Sequence, residues 1–160
     1  VATLSNQAMN YLVSDKVPTR NGNAHPNIYP YDAFPTGTEP IFLAVGNDRQ
    51  FALLCRHLGA PEVAQHADYA SAGARSVNRA ALRVWLIEHL AALDGVQLAQ
   101  DLMDIGVPCA PVLSVSAALK HPHTAHREMV VKIGDSYEGV ASPIKLSRTP
   151  ATYRLSPPTD

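Results

Sequence analysis

The stretch Ile41-Phe-Leu-Ala-Val45-Gly-Asn-Asp-Arg-Gln-Phe51-Ala-Leu-Leu-Cys55-Arg-His-Leu58-Gly59 sets a short apolar run directly before a helical stripe. Residues 41–45 are continuously apolar and lie between turn formers, which is the pattern of a buried strand. Gly46 and Asn47 turn the chain, and Asn47 or Asp48 can cap a helix. In that helix Phe51, Leu54, Cys55 and Leu58 follow the i, i+3, i+4, i+7 spacing of one apolar face. Gly59 and Pro61 end it.

Towards the C-terminus the spacing predicts a long helix from Ser76 to Leu93. Leu82, Trp85, Leu86, His89, Leu90 and Leu93 form its buried stripe, with Arg79, Arg83 and Glu88 mostly off it. Asp94-Gly-Val-Gln97 approximates a capping box for the next helix, which buries Leu98, Leu102 and Ile105 and stops at Gly106. Two amphipathic helices joined by one turn pack together, giving a helical core. Val107-Pro-Cys-Ala-Pro-Val112 carries too many prolines for a central strand and reads as an edge or an extended connector. Ser116 can cap a short helix to about Lys120, and His121-Pro122 suits the start of another turn. Met129, Val131 and Ile133 alternate as in a strand, Gly134-Asp135 turns, and Val140–Leu146 can pair back. The tail from Arg148 is extended and proline-rich.

Towards the N-terminus, residues 3–14 form a short helix with Leu4, Ala8 and Leu12 at four-residue spacing. Ser14 to Pro40 then holds Pro18, Gly22, Pro26, Pro30, Pro35, Gly37 and Pro40 with three asparagines between. A loop this long is a flap or a linker. The expected fold is therefore α+β: a small domain with a helical core, a short and mostly antiparallel sheet, and an extended N-terminal helix-plus-loop arm. The arm covers 1–40, the domain 41–147 and the tail 148–160.

Composition narrows the function classes. The 160 residues carry 13 basic and 14 acidic side chains, a net charge of −1. That balance lacks the basic surplus of a nucleic-acid binder, and no apolar run approaches the ~20 residues of a membrane span. Cys55 and Cys109 form no CxxC pair, which fits a reduced, cytoplasmic compartment. Both read as small buried hydrophobes rather than nucleophiles. His121, His123 and His126 invite a metal reading, but the proline between the first two and the lack of nearby ligands beyond Glu128 favour a surface helix start, and no metal is expected. His89 reads as a satisfied histidine on the buried stripe. Asp48 and Asp94 are explained by capping, and neither Asp32 nor Asp104 has a carboxylate partner spaced for acid–base work.

In the loop Arg20-Asn-Gly-Asn-Ala-His25-Pro, Gly22 permits close backbone approach to a ligand and Arg20 can meet a phosphate. Neither a Walker loop nor a dinucleotide fingerprint is present.

Together these pieces resemble class III CoA-transferases (the CaiB/BaiF family). The resemblance rests on Arg20-Asn-Gly-Asn-Ala-His-Pro-Asn-Ile-Tyr-Pro-Tyr31 with Phe34-Pro35, and on Ala44-Val-Gly-Asn-Asp-Arg-Gln-Phe51. It continues through Ala74-Arg75 with Asn78-Arg79, Gly106-Val-Pro-Cys-Ala-Pro-Val112, Arg127-Glu-Met-Val130, and Ser142-Pro-Ile-Lys-Leu-Ser147 with Thr149-Pro150. It implies a two-domain parent whose chains interlock in pairs and which moves CoA between carboxylic acids through an aspartyl–CoA thioester. Relatives racemise 2-methylacyl-CoA. The family's catalytic aspartate lies in an N-terminal half not found here, so no catalytic residue is assigned. The present chain reads as the C-terminal portion with the small domain, a truncated or stand-alone piece not catalytic alone. The resemblance assigns Arg20, Gly22, Asn23 and His25 to a flap-like loop contacting CoA or an acyl-CoA, with no tightly bound cofactor. Its expected partner is a second copy or a large domain on another chain. The alternative is a non-catalytic dimerising or partner-binding module.

Overall fold

The computed structural model describes residues 2–135 and 137–158. Two compact units divide the chain, Val1–Val112 and Leu113–Asp160.

In the first unit the helix α1 (Ser5–Ser14) precedes strands β1 (Tyr31–Phe34) and β2 (Ile41–Ala44). Helices α2 (Asp48–His57), α3 (Ala72–Val77), α4 (Arg79–Leu90) and α5 (Gly95–Asp104) follow, and strand β3 (Cys109–Pro111) ends the unit. The sheet order is β1-β2-β3, antiparallel throughout, with β2 central. Its period-two alternation puts Ile41, Leu43 and Val45 on one fully buried face, opposite Phe34 and Cys109 in register. Phe51, Leu54 and Cys55 of α2, Leu82, Leu86 and Leu90 of α4, and Leu98, Ala99 and Leu102 of α5 complete this core. Burying one leucine-sized side chain contributes about 1.5–3 kcal/mol, so the three helical stripes dominate the stability of the unit.

Asn47 and Asp94 cap their helices as expected, whereas Asp48, expected as a cap, pairs with Arg75 instead. Asn47 Oδ1 accepts from the Gln50 N–H at 2.9 Å, and Asp94 Oδ1 accepts from the Gln97 N–H at 2.9 Å. Proline keeps β3 at the sheet edge, where its residues pair with Ile41–Leu43 on one side only.

Several expectations are corrected. The stretch 14–40 is not all loop, because Tyr31–Phe34 pairs along its whole length with β2. Its four residues carry no long alternation, and prolines stand on both sides, so the pairing comes from β2 and not from local pattern. The single helix expected over Ser76–Leu93 is two, α3 and α4, divided at Asn78, whose backbone leaves the helical region (φ −94°, ψ 22°) and whose side-chain amide donates to Ala74 O at 3.1 Å. His89 is exposed rather than on the buried stripe, its Nδ1 lying 2.8 Å from Trp85 O, and Ile105 is 39 % exposed. Leu4, just before α1, and Leu12 within it are 57 % and 71 % exposed, and α1 buries none of its side chains.

In the second unit Ser114, not Ser116, caps α6 (Val115–Lys120). His121 caps α7 (Pro122–His126) by accepting the His123 N–H on Nδ1 at 3.1 Å. Strand β4 (Val130–Ile133) pairs antiparallel with β5 (Tyr137–Val140), so the returning strand ends where Val140–Leu146 was expected to begin. Gly134 in the hairpin has a φ of +59°, which glycine adopts without a Cβ penalty. Among the described residues no helix is long and apolar enough to cross a membrane.

Both thiols sit in the core of the first unit. Burial raises Cys55 and Cys109 from 9.0 to about 12, with Arg75 pulling Cys55 partway back. A thiol raised in the folded state adds stability that is complete below its unfolded pKa and is lost as pH climbs through the folded one. The urea midpoint is therefore expected to fall between about pH 9 and about pH 12, and less steeply in a Cys55→Ala/Cys109→Ala protein. A thiol-reactive disulfide reagent is expected to label neither cysteine until urea unfolds the chain. Rapid labelling of the folded protein at neutral pH would contradict the burial.

Candidate functional site

The loop that precedes β1 is built from the base upward by three arginines. Arg75, Arg79 and Arg83 are spaced by four residues along α3 and α4, one above the next on the face turned towards residues 25–34. Arg75 is wholly buried. Its Nε donates to Tyr29 O at 3.0 Å, and its two terminal nitrogens donate to Tyr69 O at 2.9 Å and to Asp48 Oδ1 at 2.8 Å. The guanidinium also lies 4.6 Å from the Phe51 ring centroid. Arg79 donates to Pro26 O at 2.9 Å and to His25 O at 3.4 Å, and sits 5.6 Å from the Tyr29 ring. Arg83 pairs with Asp32 Oδ2 at 2.8 Å, reaches Ala33 O at 3.4 Å, and sits 5.1 Å from the Phe34 ring. Backbone carbonyls of a proline-rich segment have few strand or helix partners, and a five-donor guanidinium is suited to collect them.

Within this frame Tyr29 is buried, and the peptide it forms with Pro30 is cis. Its hydroxyl has no hydrogen-bond partner among the described residues. Burial pushes the phenol above its ordinary value, and the nearby Arg83 guanidinium pulls the other way without giving it a bond of good geometry. An unmet buried hydroxyl costs more than none at all. Tyr29→Phe is accordingly expected to leave unfolding free energy unchanged or to raise it by about 1 kcal/mol, measured by urea titration. A loss above about 1 kcal/mol would mean that the hydroxyl is bonded after all.

The loop residues singled out by sequence fall into two groups. Arg20, Gly22 and Asn23 are exposed at the tip, where Gly22 takes a φ of +61° and an added Cβ would meet nothing within 4 Å. The Ala24 N–H closes the tip on Asn21 O at 3.1 Å. Arg20 makes no hydrogen bond or ion pair among the described residues. His25 is different: it is half-buried, belongs to the clamped base, and stacks on Tyr31 with 5.1 Å between ring centroids. Tyr31 in turn meets Phe42 of β2 edge-on at 5.8 Å. Between α1 and the loop runs an amide-lined groove of about 360 Å³ with Gln7, Asn10, Lys16, Asn21 and Asn27 on its walls. The Asn27 amide donates to Asn10 Oδ1 across it at 2.9 Å.

The arrangement offers a fixed base with a free tip, exposed amides and one unpaired guanidinium. The four aspartates weighed as acid–base candidates are each engaged by a neighbour. Asp32 and Asp48 are held by Arg83 and Arg75, Asp94 caps α5, and Asp104 accepts from Gln100 at 2.8 Å. The arginine ladder was missed from sequence. Its signal is the four-residue spacing of Arg75, Arg79 and Arg83, which reads locally as a solvated face and turns inward only because carbonyls from residues 25–33 lie against it.

The sequence profile of CoA-transferase family III matches residues 1–160. The succinate–glutarate CoA-transferase of Agrobacterium fabrum is 36% identical over 161 residues, which takes in 98% of this chain and 40% of that protein. The succinyl-CoA:mesaconate CoA-transferase of Haloarcula marismortui is 34% identical over 144 residues, 87% of this chain and 36% of that protein. The crystal structure of a CAIB/BAIF family protein from Brucella suis superposes with a TM-score of 0.86 at 37% identity, covering 99% of this chain and 42% of that one. The chain thus spans about two fifths of the length of the relatives it matches.

Proposed function

Given that this chain belongs to CoA-transferase family III, we propose that it supplies the smaller, carboxy-proximal part of an enzyme that moves CoA between dicarboxylic acids. The match over residues 1–160 carries this reading, because it includes the loop, the arginine ladder and the sheet beneath them as one piece. The substrate class follows from the relatives, whose names pair succinate with glutarate and succinyl-CoA with mesaconate. All of these acids keep a second carboxylate when one end is esterified to CoA.

In this reading Arg20, Gly22, Asn23 and His25 contact CoA or the acyl group. The clamped base from His25 to Phe34 sets the position of the loop, and the tip closes over the thioester and excludes water from it. Gly22 lets the backbone approach the ligand, and Arg20 is free to meet a phosphate or carboxylate. The aspartate of the aspartyl–CoA thioester that the family resemblance implies is assigned to no residue of this chain, and Asp32 and Asp48, paired with Arg83 and Arg75, are not put in its place. The chain by itself binds but does not transfer. Its two cysteines, buried and not joined in a disulfide, suit the cytoplasm.

The test is a thermal-shift titration of the purified chain with CoA and succinyl-CoA, run beside an assay for CoA transfer to glutarate. Saturation at a hundredfold excess over Kd stabilises a protein by about 2.7 kcal/mol. A dose-dependent rise without turnover is expected. A melting temperature that ignores both ligands would sink the binding reading, and turnover by the chain alone would overturn the placement of the nucleophile elsewhere.

The second reading, a non-catalytic dimerising or partner-binding module, is favoured by α1. Leu4, Met9, Leu12, Val13 and the following Val17 are all more than half exposed, an apolar surface of the kind that marks an interface. A dimer indifferent to CoA would support it.

A further inference from the structure

The hydrogen bonds around His25 do more than shape the loop. They select one tautomer. Its Nδ1 accepts the N–H of Asn27 at 3.1 Å and the N–H of Ile28 at 3.0 Å. A ring nitrogen that accepts carries no proton, so in the neutral imidazole the proton sits on Nε2. The backbone is tied as well: the His25 N–H donates to Tyr31 O at 2.9 Å, and its carbonyl receives Arg79. The ring stacks on Tyr31 with 27° between planes, and turning it over would break both bonds at Nδ1. Every polar atom of His25 is therefore committed except Nε2, which makes no hydrogen bond among the described residues.

We propose that His25 is a preset Nε2–H donor to the free carboxylate of a dicarboxylic acyl group, a specificity-determining contact. The proposal rests on the reading of this loop as the acyl-CoA contact. A neutral donor of fixed direction discriminates by what it leaves unpaired. A carboxylate oxygen meets it with a charge-assisted bond, while a methyl group in the same place strands the N–H. Arg20, five positions earlier on the same loop and unpaired, raises the local preference for an anion.

The experiment separates cap from donor. Asparagine places Oδ1 near where Nδ1 stands, so His25→Asn keeps an acceptor for the Asn27 and Ile28 N–H groups and removes Nε2–H. Calorimetric titrations with succinyl-CoA and with butyryl-CoA compare acyl chains of equal length with and without the carboxylate. The expected result is succinyl-CoA binding weakened about tenfold in His25→Asn, with butyryl-CoA binding unchanged. Equal succinyl-CoA affinity in the two proteins would overturn the donor role and leave the acyl-CoA reading standing. Equal weakening for both ligands would overturn the assignment to the carboxylate. A wild-type chain that binds neither ligand would overturn the acyl-CoA reading and the donor role with it. Should His25→Asn fail to fold, long-range proton–nitrogen spectra of the wild-type imidazole decide the matter. A proton on Nδ1, or an Nε2 signal that does not move with succinyl-CoA, overturns the proposal.

Discussion

Arg75→Ala is expected to lower the unfolding free energy by about 3–5 kcal/mol, the largest single effect of any side chain in the loop frame. The residue is wholly inaccessible to solvent, and alanine would strand the carbonyls of Tyr29 and Tyr69 together with the Asp48 carboxylate. A hydrogen bond from a charged donor contributes about 1.5–3 kcal/mol, and the lost packing over Phe51 adds to that. Asp48 tempers the total, because its side chain is 58% exposed and water can take over its half of the pair. For a protein of this size the change corresponds to a fall in melting temperature on the order of 10 °C. Arg75→Lys tests the geometry separately from the charge. One ammonium cannot span three acceptors set around a planar fork, so lysine should recover less than half of the loss. A cost below about 1 kcal/mol for alanine would mean that the loop holds its place without the ladder.

Gly95→Ala is the second large effect, and its sign runs against helix propensity. Gly95 is the first residue of α5, where alanine would ordinarily stabilise a helix by up to about 1 kcal/mol. Here the new Cβ would collide with the Glu39 carbonyl oxygen, and Thr36 Oγ1 would lie 2.9 Å away. The same loop is tied to this helix start: the Gly95 N–H donates to Thr38 Oγ1 at 2.9 Å, and the Gly37 N–H to Leu93 O at 2.9 Å. Neither backbone can retreat without breaking these bonds, so a net loss of about 2–3 kcal/mol is expected in urea titrations. Gly73 in α3 is the matched control, since a Cβ there meets nothing within 4 Å and its φ is not left-handed. Gly73→Ala should stabilise by about 0.5–1 kcal/mol. A stabilising Gly95→Ala would show that the β1–β2 loop does not press on α5 as described.

These effects trace where the reading of the chain succeeded. The strand at Ile41, the stripe Phe51–Leu54–Cys55, the caps at Asn47 and Asp94 and the helix start at His121-Pro122 all depend on residues within a few positions of one another, and all were legible. The misses share a cause. Tyr31–Phe34 became a strand because β2 offered it a complete row of partners, although its own four residues sit between prolines. Asn78 divides α3 from α4 because its backbone leaves the helical region, at φ −94° and ψ 22°, while its side-chain amide donates to Asp68 O, a contact that side-chain periodicity does not encode. His89 and Ile105 faced solvent because the core is filled by the leucines at 82, 86, 90, 98 and 102.

For the candidate site the division is sharper. Arg20, Gly22, Asn23 and His25 could all be named from the sequence and its family pattern, but the half-buried place of His25 against Tyr31 could not. By itself the sequence determined the central strand, helices α2 and α5, the caps at Asn47 and Asp94 and the family pattern, because these are written in side-chain periodicity and in turn chemistry over short distances. Tertiary structure alone decided which arginine holds which carbonyl. Tyr29 and Arg75 are 46 positions apart, His25 and Arg79 are 54, and Asp32 and Arg83 are 51. Backbone carbonyls are identical at every residue, so the identity of their partners appears only when the fold brings them together.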